Sequence, residues 1–557
     1  MASIFKDLKV FKPKRNVFDL SHERKMSLNM GDLVPILCQE VVPGDTFKNS
    51  SEIFMRLAPM IAPVMHRVNV YTHFFFVPNR LVWKDWGDFI TGYDPNMNPP
   101  VPPDPPNSAK PLPVFPQIAL SDLTLGTRFT NGSLADYLGF PTMIAGDIPP
   151  NGLPPISQLP FRAYQLIWNE YYRDQNLQSE INFSRDGVVL GTQLDAAELD
   201  RITTLRKRCW EKDYFTSALP WAQKGGDVMI PVSGSGNIVF NPSGYDINNG
   251  PRWEDVGPLV ERANIGALHA TSGLTSSGTS RLNSGAAVVT GTPVAYNPNG
   301  TLKVAGDVDT GTIEDLRRAS RLQAWLEKNA RGGSRYIEQL FAHFGVKSSD
   351  ARLQRPEYLG GGKSPVIMSE VLQTSETQDG ISPQGNMAGH GFSVGKTHYF
   401  EKYFEEHGYI IGIMSVLPRT AYHQGIPKHF LKQDKFDYFW PDFAHLGEQP
   451  ILNSEVYVGA AQDDPTGTFG YTPRYAEYKF TNSSVHGEMR DSLDFWHLGR
   501  KFEGKPNLNA QFVSSDPDKR IFAVEDEQYH MLYCHLFNNT KAIRGMPRFG
   551  TPGSHFF

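Results

Sequence analysis

Cysteine is nearly absent from this chain. Its 557 residues hold only Cys38, Cys209 and Cys534, odd in number and far apart. That excludes a disulfide framework or a cysteine-based zinc knuckle and points to a reducing compartment. No apolar run is long enough to cross a bilayer, so no membrane insertion is expected. The opening MASIFKDLKVFKPKRN lacks the continuous apolar centre of a secretory signal. Cations are not in excess either: 54 Lys and Arg against 59 Asp and Glu leave a net charge of −5. A surface that clamps nucleic acid everywhere would be basic, so any such contact must be local. No charged or low-complexity linker divides the chain into separate domains.

What is present is a large supply of turns and core. Gly 50 and Pro 42 imply many chain reversals, and 40% hydrophobic with 12% aromatic residues can fill a sizeable interior. Residues 34–47 and 67–77 read as strands; in the second, Val68, Val70, Thr72, Phe74 and Phe76 share one side, opposite Asn69, Tyr71 and His73. Residues 366–373, 397–404, 409–417, 451–458, 475–480 and 521–537 read as further strands. Helical patterns fall at 81–90, 162–174 and 196–212. They recur at 312–331, with a capping box from Thr312 to Asp315, and after Gly332-Gly333, where Ser334 restarts the chain into a stripe of Ile337, Leu340, Phe341 and Phe344. Residues 95–116 hold ten prolines and read as an extended strap. About eight strands over long connections suit a mainly β fold: an eight-stranded antiparallel jelly roll with long loop insertions containing several helices.

Motifs of catalysis and metal binding are missing or broken. Gly391-Phe-Ser393-Val-Gly395 fits G-x-S-x-G, but an irregular loop at 385–389 and strand-like aromatics replace the strand and helix that a nucleophile elbow needs. Gly360-Gly-Gly-Lys-Ser364 lacks the first glycine of a phosphate loop and reads as a flexible connection. Asp307 and Asp309 begin a calcium-loop pattern that fails at Gly311, Thr312 and Arg318. His530 and His535, five apart on an expected strand, point to opposite faces. No enzyme, cofactor or metal site is expected.

The two ends are basic and aromatic. Residues 1–25 carry seven cations, among them Lys6, Lys9, Lys12, Lys14 and Arg15, against three acids; residues 538–557 carry Lys541, Arg544 and Arg548 and no acid. Phe5, Phe11, Phe18, Phe549, Phe556 and Phe557 accompany them. Phosphate pairing and base stacking make these candidate nucleic-acid contacts. Docking on neighbouring subunits would account for them equally. In residues 225–311, 38 of 87 residues are Gly, Ser, Thr or Asn and only 11 are charged. This segment reads as either a surface loop or an external protrusion, in which Val288, Val289, Leu302 and Val304 are candidates to pack together.

Several long stretches are similar to one family. They are residues 312–374, VYTHFFFVPNRLVWKDWGDFITG (70–92), AGHGFSVG (388–395), residues 407–449, VHGEMR (485–490), FWHLGRKF (495–502) and the tail MPRFGTPGSHFF. Together they resemble the major capsid protein of the gokushoviruses (Microviridae), bacteriophages with circular single-stranded DNA. The resemblance implies self-assembly into a T=1 icosahedral shell around that genome. It also implies a basic N-terminal arm (1–33), a core from 34–224 and 312–557, and an inserted protrusion (225–311) at the threefold axis used in host attachment. Implied partners are a small basic DNA-binding protein, an internal scaffolding protein, a DNA pilot protein and a host surface receptor. Implied locations are the virion and, during assembly, the host bacterial cytoplasm. A secreted β-sandwich that binds or hydrolyses glycans is the alternative; it would bring a signal peptide and paired carboxylates, and neither is visible.

Overall fold

The computed structural model describes residues 14–91, 113–120, 128–142, 153–191, 195–226, 228, 313–372, 374, 386–397, 399–460, 464–526 and 528–549, together with short strands at 238–240, 253–255, 294–296 and 302–304. Lys6, Lys9, Lys12, Val288, Val289, Asp307, Asp309 and most of the proline strap lie outside the described residues. The chain divides into two units, Gly225–Leu326 and the remainder.

The larger unit is built on two antiparallel sheets. The strands of these two sheets are β1 (Asn16–Asp19), β2 (His22–Leu28), β3 (Val34–Val41), β4 (Thr46–Leu57), β5 (Val68–Pro78), β6 (Glu357–Pro365), β7 (Ile367–Leu372), β8 (Met387–Lys396), β9 (Phe400–Tyr403), β10 (Gly408–Pro418) and β11 (Leu532–Arg544). In one sheet β1 and β2 both line β11, β11 pairs β4, β4 pairs β8 and β9, and β8 pairs β7. The other sheet runs β6-β5-β10-β3. Residues 16–28, within the expected arm 1–33, are thus strands of a sheet.

Alternation decides what each strand buries. Met55, Leu57, Leu532 and Leu536 from the first sheet share a core with Val70, Phe74, Phe76, Met414 and Val416 from the second. The second sheet is covered on its other face too: Phe75, Val77, Ile411 and Ile413 pack with Phe161, Tyr164 and Ile167 of helix Leu159–Ile167. This explains why β5 is buried on both faces, as its apolar run requires. A third cluster joins Phe215, Tyr422, Ile451, Phe469 and Phe512.

Several sequence expectations need correction. Residues 34–47 split at 42–45, where Gly44 takes φ +90°. The glycine-rich 357–365 stretch is no flexible loop but β6, paired along β5 with a bulge between Tyr358 and Gly360. A Cβ at Gly361 would stand 2.2 Å from the Thr72 carbonyl oxygen, so glycine there permits close strand approach. Likewise 387–396 is continuous strand. Residues 451–458 leave the strand at Leu452 for a helical turn, Asn453–Val456, and 475–480 form a tight turn after Tyr475 at φ 60°. The last strand starts at Leu532 and runs to Arg544, not over 521–537. The helix after Gly333 is capped at Arg335, whose amide donates to Glu338, rather than at Ser334.

In the smaller unit, Ile238–Phe240 pairs antiparallel with Leu302–Val304, and Trp253–Asp255 with Val294–Tyr296. The pairs are nested, one inside the other along the chain.

Candidate assembly surfaces

The basic residues singled out at the two termini divide by what surrounds them. Arg544, on β11, is committed to the subunit: its guanidinium lies 2.8 Å from the carboxylate of buried Asp45, which the Val42 amide also holds. Arg15 donates to the Gly44 carbonyl and Thr46 hydroxyl, and its guanidinium sits 5.8 Å from the Tyr403 ring centre. Lys14, Lys541 and Arg548 stay exposed, with Phe549 87% exposed beside Arg548. Lys541 belongs to a charge row across four strands, Asp19–Lys541–Lys48–Glu401. Lys48 and Glu401 pair at 2.9 Å. Hydrogen bonds from Ser21, and the nearby Lys541, hold the Asp19 carboxyl below its ordinary value.

Ser393 is buried and donates its hydroxyl to the Pro365 carbonyl at 2.9 Å. It lies within β8, and β9 follows where a nucleophile elbow would turn into a helix. His530 precedes β11 and bonds Ser27, while His535 reaches Glu23 on the outer face at 3.2 Å. Among the described residues no cluster of His, Cys, Asp or Glu could hold a metal. No described helix is long and apolar enough to cross a membrane.

A cleft of about 1240 Å3 opens beside β5, where cations lie on rings. Arg208 stacks 4.2 Å from the Tyr71 ring centre, and Arg355 lies 4.3 Å from that of Tyr171 while pairing with Asp350 at 3.3 Å. Burial, then Arg208, pushes the His73 pKa down to about 4, so this imidazole is neutral at pH 7 and bonds Tyr172 at 2.8 Å. Sequence patterning gave no sign of this cleft, because its residues come from five distant segments.

An exposed apolar ridge lies in the long connection between β10 and β11. Phe430, Phe436, Tyr438, Phe439 and Trp440 are all about half exposed or more. Short turns at Lys428–Phe430, Lys435–Asp437 and Pro441–Phe443 hold it. Asp437 accepts from the amides of Gln433 and Asp434, which keeps its carboxyl below the usual range. The Trp440 indole donates to the Lys435 carbonyl at 2.8 Å. Helix Tyr336–Phe344 leaves Tyr336, Phe341 and Phe344 uncovered as well. Large apolar patches of this kind mark contacts with other molecules.

Comparison with known proteins agrees with a surface built for contact. The family model described as "Capsid protein (F protein)" matches residues 7–554. The chain is 36% identical to capsid protein VP1 of Chlamydia phage 1, covering 99% of this chain and 98% of the relative. It is 37% identical to VP1 of Bdellovibrio phage phiMH2K and 32% identical to VP1 of Spiroplasma virus 4, each covering 97% of this chain and 95% of the relative. The glycan-directed alternative gives way to these matches. A chain matched almost end to end, with large apolar faces left for neighbours, belongs to the phage capsid protein (F protein) family, as a major capsid protein of the gokushovirus type and a structural protein rather than an enzyme.

Proposed function

We propose that this chain forms a T=1 icosahedral shell around circular single-stranded DNA, with an eight-stranded jelly roll as the shell wall. The observation that carries the reading is the strand order. One sheet contains β2-β11-β4-β8 and the other β3-β10-β5-β6. Through the first four of these strands, and again from β6 onward, the chain passes back and forth between sheets as two interleaved Greek keys do. The capsid family supports assembly of many copies. Exposed Lys14, Lys541 and Arg548 support a DNA contact at the chain ends. Arg544 is a weaker candidate because Asp45 already neutralises it.

The net charge of −5 leaves most genome phosphates uncompensated, which is why a small basic protein belongs among the partners. An internal scaffolding protein, a DNA pilot protein and a host receptor complete the set. The segment 225–311 is read as an outward projection at the threefold axis. Its nested strand pairs, including the one holding Leu302 and Val304, are what a stem would use. The test is microscopy of purified particles with nuclease digestion. Uniform small shells holding nuclease-protected single-stranded DNA are expected; a soluble monomer without nucleic acid would overturn the reading. Replacing residues 243–295 by a short Gly-Ser linker should keep the shells and abolish attachment to host cells.

A further inference from the structure

The ridge at Phe430–Trp440 exposes aromatic rings while its backbone is fixed. Asp434 caps the turn at Lys435, Asp437 accepts two amides, and the indole of Trp440 is tied to the Lys435 carbonyl. Behind it Phe439 meets Tyr475 with ring centres 5.0 Å apart, and buried Lys432 pairs with Glu477 at 3.1 Å while lying 3.8 Å from the Tyr478 ring centre. A loop meant to be covered by its own chain would fold these rings inward. Here the polar atoms are satisfied locally and the rings are presented outward.

We propose that this ridge is a contact between copies of the chain, seated on a second copy in the shell; the proposal rests on the shell-forming reading above. Area is the first argument. Phe430, Phe436, Tyr438, Phe439, Trp440 and Tyr478 are each about half exposed or more. At about 200 Å2 per aromatic side chain they present about 600 Å2. That is most of the about 800 Å2 that one partner contributes to a stable interface. Charge is the second. Residues 428–446 hold three lysines and three aspartates, with Lys428 paired to Glu455 and Lys432 to Glu477, so little net charge opposes burial of the rings against a neighbouring copy. Composition is the third: aromatic residues such as these are enriched as anchors in the cores of interfaces between proteins. Pre-ordering by the turns means that little conformational entropy is lost on docking.

The test uses the full chain. Phe436→Ser, Phe439→Ser and Trp440→Ser, combined, should leave folded subunits by circular dichroism and lower shell yield at least tenfold by sedimentation. Normal shell yield would overturn the proposal. If wild-type protein makes no shells at all, the shell-forming reading fails instead, which separates the two. Should the triple variant not fold, wild-type shells grown from mixed light- and heavy-nitrogen subunits still decide. Cross-links from exposed Lys435 must then join light to heavy peptides. Links confined to one copy, or made only to a different protein, would sink the idea.

Discussion

Two aromatic runs in this chain meet opposite fates. Phe74, Phe75 and Phe76 on β5 are almost wholly buried, whereas Phe436, Tyr438, Phe439 and Trp440 stand about half exposed. Hydrophobicity does not separate them. β5 pairs with β6 along one edge and β10 along the other, and its extended backbone sends alternate side chains to opposite faces. Phe74 and Phe76 then enter the core between the sheets, and Phe75 enters the helical layer. The second run has no strand partner. The amides of Gln433, Asp434 and Lys435 just before it are held by Asp434 and Asp437, the Tyr438 amide donates to the Lys435 carbonyl and the Trp440 amide to the Tyr475 hydroxyl, and its rings are left about half exposed. The lesson is that backbone hydrogen bonding, not residue type, sorted these rings into core and contact surface.

The sharpest break of the comparison is Phe75→Ala. Removing a fully buried ring should cost about 3–5 kcal/mol and shift the urea midpoint of the subunit far downward. Arg544→Ala comes next, since it strands the buried Asp45 carboxylate. A loss of about 3 kcal/mol is expected, read in the same denaturation curve. A smaller effect comes from pH, through His73 beside the buried run and His66 elsewhere in the unit. Burial, with Arg208 for His73 and with His497 and Arg520 for His66, holds both near pKa 4, although His66 gains from its bond to the Arg419 carbonyl. The unfolded chain takes up these protons near pH 6.5 and the folded chain only near 4. Stability is therefore full above about 6.5 and falls as pH drops toward 4, by about 2 kcal/mol per histidine at pH 5. His73→Gln should remove its share of the difference between urea midpoints at pH 7 and pH 5; an unchanged difference would contradict the assignment. Smallest of all, Phe436→Ser should alter subunit unfolding by less than about 0.5 kcal/mol, as surface changes do. A loss as large as that of Phe75→Ala would erase the distinction between the two runs.

Parts of this were legible beforehand. The period-two alternation of 68–76 placed Val68, Val70, Phe74 and Phe76 together, as found. The glycines misled at 357–365 and at Gly389, because a residue chosen for close approach to a neighbouring strand looks the same in sequence as one chosen for a turn. The terminal cations were visible, yet sequence could not tell that Arg544 faces Asp45 while Lys541 and Arg548 do not. The basic-aromatic cleft was invisible, since its members lie far apart along the chain.

By itself the sequence determined the strands whose alternation is strong, the lack of a usable catalytic pattern, and, through long ordered similarity, the capsid family. Only the tertiary structure decided that Glu357–Pro365 is a strand, that β11 extends to Arg544, and that the ridge at 430–440 is left uncovered. The physical reason is common to all three. Each depends on which distant segment supplies or withholds a hydrogen-bonding or packing partner, and local residue preference does not encode a partner hundreds of positions away.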